Sequence, residues 1–331
     1  MVRNKVINRR TGRLGAALVL GAVAAVAVTG CSSAAAGADT QEVAEVINTT
    51  VVTYAGQAPQ DVKVPAGATG VLIDAIGGGG GKGNNNTAPA DNGSLGAEVK
   101  TTVSLPVKAG QTLVVSVGGA GQEWVYGADG GPGGWGGLDG HGGLGGPNVG
   151  DGGGGASGGG ATVVQVEDPQ SGALQTVVVA GGGGGGGTGL AHMSSDTQTC
   201  GGSGGSAGTN SEANLVNGQF WVWQGSRGGQ GWCDDPGDGG LAGVSTDPGY
   251  GGIGGTGKGD PAGAGGGGGG GYQGGYGGNG SEGTGGGGGG GGAGSTAVSQ
   301  QVAPKLSDAS VGPAPDGFRA QNGQVTLNWT S

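Results

Sequence analysis

The sequence is short of aromatic side chains. Phe, Tyr and Trp together make up 4% of 331 residues, and all hydrophobic residues only 33%. A large conventional core is therefore not expected. Proline is scarce, at 13 residues, and glycine does not recur at every third position, which excludes a collagen triple helix. His141 and His192 are the two histidines, and Cys31, Cys200 and Cys233 the three cysteines; none stands at metal-ligand spacing. Asp139, Asp151 and Asp260 lie beside glycines without forming the repeating calcium-binding nonapeptide. The run 77–81 before Lys82 lacks the Ser or Thr a phosphate loop needs, because Gly83 stands there, and Gly257-Lys258-Gly259 fails likewise. No Ser–His–Asp arrangement or carboxylate pair stands out, so the reading is no metal, no cofactor and no enzyme.

What the chain has in excess is glycine, 96 residues, far above the usual ~7%. Glycine loses the most backbone entropy on ordering, so composition alone suggests disorder. The placement of the runs argues otherwise. In 174–187, LQTVVVAGGGGGGG, a β-branched hydrophobic run meets pure glycine with no transition. The same junction occurs at Ile76-Gly77 and Val117-Gly118. A flexible linker mixes serine into its glycine and loses hydrophobicity at its ends. The junctions predict strands that launch and receive glycine segments.

The order of the chain gives its organisation. Residues 1–30 read as an export signal, with Arg3, Lys5, Arg9, Arg10 and Arg13 ahead of the apolar stretch 14–28. That stretch is too short and Ala-rich for a membrane span. It ends in Val28-Thr29-Gly30-Cys31, which resembles the bacterial lipoprotein lipobox, with Val28 in place of the usual Leu and Thr29 in place of Ser or Ala. The resemblance implies cleavage before Cys31 and a diacylglycerol on its sulfur. The plainer alternative is a cleaved secretory signal that happens to meet a cysteine. Residues 31–44 then form the lipid anchor and a flexible tether, and the expected location is the outer face of the bacterial cell membrane. Without the leader's five basic residues the net charge moves from −10 to −15, which argues against nucleic acid as a partner.

Strands are expected over 43–54, 61–67, 69–77, 97–105, 112–117, 161–166, 174–180 and 324–329, with a hairpin loop at 168–172. Val71, Ile73 and Ala75 share one face, as do Val99, Thr101 and Val103. The ordered series of Pro65-Ala66-Gly67, the run 77–81, Gly110-Gln111-Thr112, Val117-Gly118-Gly119, Gly160-Ala161-Thr162, the run 178–183 and the closing QVTLNW resembles the glycine-rich domain family. That family includes bacterial surface proteins, phage tail adhesins and the extracellular domain of anaplastic lymphoma kinase receptors. The resemblance implies a mainly β fold over 45–331, a small β-sandwich base whose loops extend as a bundle of polyglycine II helices. Physics points the same way: a lone glycine helix has unsatisfied N–H and C=O groups, and only side-by-side packing of several satisfies them.

The segment 192–236 interrupts the pattern and reads as an insertion. In an exported chain Cys200 and Cys233 are expected to pair. Between them, Trp221, Trp223 and Trp232 are candidate binding residues, since Trp is favoured at binding hot spots. The alternative is a local mini-core closed by the bridge. Tyr250, Tyr272 and Tyr276 are expected to cover the bundle. The functional expectation is binding or adhesion to an extracellular protein or glycan, with the membrane reached through Cys31. The alternative is a passive envelope spacer, and an envelope enzyme ranks third.

Overall fold

The computed structural model describes residues 45–83, 94–123, 132–147, 154–188, 202–231, 263–281 and 288–331. The leader, the tether, Cys31, Cys200, Cys233, Trp232, Tyr250 and His192 lie outside them.

The described chain is mainly β, with two antiparallel sheets. The first sheet holds β1 (Val46–Thr53), β13 (Gln324–Thr330), β3 (Gly70–Ile76), β4 (Ala97–Thr101) and β12 (Ala309–Pro313) in that order, and β5 (Leu105–Pro106) also pairs β3. The second runs β2 (Gln60–Lys63), β6 (Thr112–Ser116), β7 (Thr162–Glu167), β8 (Leu174–Ala180), β11 (Thr296–Ser299), β10 (Phe220–Trp223), β9 (Ala213–Val216). Period-two alternation fills the space between them: Val71, Ile73 and Ala75 of β3 and Val325, Leu327 and Trp329 of β13 meet Leu113, Val115, Val164, Val178 and Val298. Trp329 is fully buried, and its indole N–H donates to Thr50 Oγ1 at 2.9 Å.

Glycine segments leave and re-enter the sheets at one end. In the run 181–188 the hydrogen-bond partner changes with a period of three. The N–H groups of Gly182, Gly185 and Thr188 donate to Gly270, Gly267 and Ala264. Those of Gly183 and Gly186 donate to Gly78 and Gly81, and those of Gly184 and Gly187 to Gly205 and Gly202, all at 2.7–3.0 Å. The carbonyls of Gly182, Gly185 and Thr188 accept from Gly294, Gly291 and Gly288, and those of Gly183 and Gly186 from Gly159 and Ala156. The Gly184 carbonyl accepts from Ser94 Oγ at 2.5 Å. Five glycine segments and Ser94 thus surround one helix, which is hexagonal polyglycine II packing. Rising partner numbers mark the 77–83 segment as parallel to it; falling numbers mark the other four as antiparallel.

Glycine is needed here for close approach. A Cβ built on Gly184 would fall on the Gly291 carbonyl, and one on Gly185 on that of Ala156. The described glycines with positive φ, Gly56, Gly67, Gly110, Gly172, Gly208 and Gly218, lie outside the packed runs.

Several expectations change. The strand expected over 97–105 breaks after Thr101, whose Oγ1 accepts the Ile73 N–H at 2.8 Å while the Thr102 N–H turns to Asp308. Strands β9 to β12 appear where none was expected. The described part of the 192–236 segment is built into the fold: 202–206 and 224–231 pack in the bundle, and β9–β10 form a hairpin of the second sheet closed by Asn217 and Gly218, at φ 53° and 65°. Tyr272 covers the outer face of the second sheet, packed on Phe220, rather than the bundle.

Candidate functional site

The aromatic candidates separate. Trp223 is 4% exposed and belongs to the main core, so it is not available to a partner. Trp221 is half-buried against the same core, and its indole N–H donates to the Ala303 carbonyl at 3.0 Å. Alternation along β10 explains both: Trp221 and Trp223 face inward, while Phe220 and Val222 face out. In the described part of the aromatic loop both tryptophans thus join the main sandwich core rather than a separate local one.

Phe220 belongs to a better-formed candidate. The outer face of the second sheet carries a small apolar cluster of Ala161, Val163, Val179, Val222 and Ala297, flanked by Val216, Phe220 and Tyr272. Two backbone segments lie over it. The first is the turn 137–140, tied down by Gly137 N–H to the Ala161 carbonyl at 3.1 Å and Ala161 N–H to the Gly140 carbonyl at 2.8 Å. The second is 271–273, where Tyr272 N–H donates to the Ser295 carbonyl at 3.1 Å. Between them remains a hollow of about 180 Å³, lined by Gly137, Leu138, Thr176, Val179, Phe220, Gly271 and Tyr272.

The walls are fixed. Phe220 and Tyr272 have ring centroids 5.3 Å apart at a 36° tilt. A Cβ on Gly137 would come within 2.7 Å of Ser116 Cβ, and one on Gly271 within 2.7 Å of the Ser295 backbone nitrogen, so both segments sit as low as a chain can. Thr176 supplies the one hydroxyl on the strand floor, and its Oγ1 accepts from Gln165 Nε2 at 3.3 Å. The rim is strained. Leu138 and Asp139 hold φ of 52° and 58° in a turn closed by Gly140 N–H to the Gly137 carbonyl at 2.9 Å. Leu138 is 44% exposed and Leu174, two residues before Thr176, 49%.

Titratable groups are sparse nearby. His141 packs on Trp135 with ring centroids 4.1 Å apart, and its Nδ1 accepts the Gly136 N–H at 3.0 Å. Burial lowers its pKa, against the opposing pull of Asp139. On the other sheet, Lys100 Nζ lies 2.8 Å from Glu98 and 3.8 Å from Asp74. Asp74 Oδ1 is buried with no hydrogen-bond partner, and burial raises that carboxyl above its ordinary value. Among the described residues no group of three or more His, Cys, Asp or Glu is placed to hold a metal.

No protein-family model matches the chain, and sequence comparison with characterised proteins finds no relative. The hollow was not legible in the sequence, because its walls come from positions as far apart as 137 and 272. The Asn217-Gly218 turn was the one available signal: it fixes β10 and hence turns Phe220 outward.

Proposed function

We propose that this chain is an exported lipoprotein, anchored through Cys31 on the outer face of the bacterial membrane, whose glycine-rich domain is a non-enzymatic binding or adhesion module for an extracellular protein or glycan. The resemblance to the glycine-rich domain family belongs to the same proposal. The observation that carries it is the polarity of the domain. Glu45, where the described chain begins, lies beside the C-terminus: the Ser331 N–H donates to its carbonyl at 3.2 Å. The glycine runs 77–83, 118–123 and 181–188 leave β3, β6 and β8 at the opposite end of the sheets. A tether from Cys31 would join the domain at Glu45, at the end of the sheets away from the bundle, and so leave the bundle end clear of the attachment, as an adhesin needs.

The test is attachment of cells to immobilised glycans and extracellular-matrix proteins, comparing wild type, a deletion strain and a strain whose chain carries Cys31→Ala. Saturable attachment by the wild type alone is the expected result. Equal attachment by all three strains to every surface would leave the passive spacer.

A further inference from the structure

We infer that the hollow between the 137–140 turn and Tyr272 is a socket for a single apolar side chain, aromatic or branched aliphatic, of a protein partner whose flanking residues are basic. This rests on the binding reading above but not on lipid anchoring.

Size selects the occupant first. Small-molecule pockets run to roughly 300–1,000 Å³. At about 180 Å³ the hollow is too small to enclose a whole ligand of that kind. One buried side chain is the usual content of a space this size at protein interfaces, where a few anchors in well-packed pockets carry most of the affinity. The lining agrees: five of its seven residues, Gly137, Leu138, Val179, Phe220 and Gly271, offer no side-chain hydrogen bond, and none is charged.

Preorganisation is the second argument. Gly137 and Gly271 have no room for a Cβ, and Tyr272 is held by its own backbone bond to Ser295. The walls therefore do not need to order on binding, which removes a large part of the usual entropic opposition. Leu138 and Asp139 occupy positive φ; Asp tolerates it, but for leucine it is a strained conformation of a kind that clusters at functional positions. The strain places an exposed leucine at the lip of the hollow rather than inside it.

Charge selects the flanks. Asp139, exposed, follows Leu138 in the same turn. Glu167 is paired across the sheet with Leu174, the other exposed apolar residue of this face. The chain without its leader is strongly acidic, at −15 from −10 with five basic residues removed. A partner with Lys or Arg on either side of its anchor meets attraction at the rim, and an acidic one meets repulsion.

The experiment uses the full chain in dilute zwitterionic detergent, which holds it with or without a lipid on Cys31, followed by methyl NMR of Thr176 and Val179. Four probes are titrated: the pentapeptides Lys-Lys-Phe-Lys-Lys, Lys-Lys-Ala-Lys-Lys and Glu-Glu-Phe-Glu-Glu, and toluene. The basic Phe peptide should shift both methyls saturably. The Ala peptide should bind at least tenfold more weakly, and the acidic Phe peptide at least threefold more weakly. Thr176→Trp, which fills the hollow, should abolish the response. Should that variant fail to fold, the wild-type comparison of the Phe and Ala peptides still decides. Equal shifts from those two would mean surface charge alone and overturn the socket. Saturation by toluene with no response to any peptide would make this a small-molecule cavity and overturn it equally. Equal binding of the basic and acidic Phe peptides would overturn the basic flanks. Peptide binding in a chain that mediates no cell attachment would sink the adhesion reading and leave the socket standing.

Discussion

Leu138 offers a direct test of strain at one position. A left-handed conformation costs a non-glycine residue roughly 1–2 kcal/mol, and Leu138 holds φ 52°. Glycine relieves that strain but adds unfolded-state freedom worth about 0.4–1 kcal/mol. Leu138→Gly should therefore be neutral or stabilising by up to ~1.6 kcal/mol. Leu215 has similar exposure, 46%, but sits in β9, and Leu215→Gly should destabilise by about 0.5–1 kcal/mol. Thermal melts of the two variants check this; the same sign for both would remove strain as the explanation. Asp74 gives a second test, through pH. Burial raises its carboxyl, Lys100 opposes and Glu98 adds to the rise. A carboxyl raised in the folded state favours folding while protonated, and that contribution fades as pH climbs through the folded value. Asp74→Asn should thus raise the melting temperature at pH 7, and the gap from wild type should close as pH falls toward the ordinary value of 3.8. Lys100 keeps Glu98 at 2.8 Å in either case. A variant less stable than wild type at pH 7 would refute the argument.

A packed glycine run tolerates no added Cβ, whereas a linker does. Replacing Gly183, Gly184 and Gly185 together with Ala drives methyls toward Ser94 Oγ and the carbonyls of Gly291 and Ala156. Overpacking of this kind costs roughly 1–3 kcal/mol per site. The triple variant should melt at least ~5 °C lower. Ala at Gly312 and Gly317, where a Cβ meets nothing within 4 Å, should be silent or mildly stabilising. Differential scanning calorimetry separates the cases. The strand-to-glycine junctions were legible because β-branched residues and glycine have opposite preferences: β3 ends at Ile76 and β8 at Ala180, where the composition turns. The inward face of β3 was legible from the alternation of Val71, Ile73 and Ala75. Strands β11 and β12 were not: TAVS is only four residues long, and ASVGP has a single β-branched residue and ends in Gly312 and Pro313, which fit its place at a sheet edge. Nor was the neighbour of each glycine helix legible, because identical runs carry no side chains to distinguish partners. The marks that set register are the few hydroxyls. Ser94 reaches Gly184, Ser157 bonds Pro132 and Gln122, and Ser295 accepts from Gln273.

Sandwich and bundle share a continuous chain, since each run passes without a break into a strand. The proposed lipid on Cys31 is tested separately. Lipidated, the mature chain should partition into detergent, and Cys31→Ala should release it or leave the precursor uncleaved. An intact-mass spectrum of the mature N-terminus without the added lipid would exclude the anchor. The three-residue period of the bundle also constrains how such a molecule changes over evolutionary time. Partners of the 181–188 run repeat at Gly182, Gly185 and Thr188. Inserting or deleting one glycine turns everything beyond it by about 120° and sends each donor toward the wrong neighbour. Adding three restores every bond one turn further out and lengthens the helix by roughly 9 Å. Length drift in the runs is therefore quantised: the gene can gain or lose nine bases at a bundle end where it cannot gain or lose three.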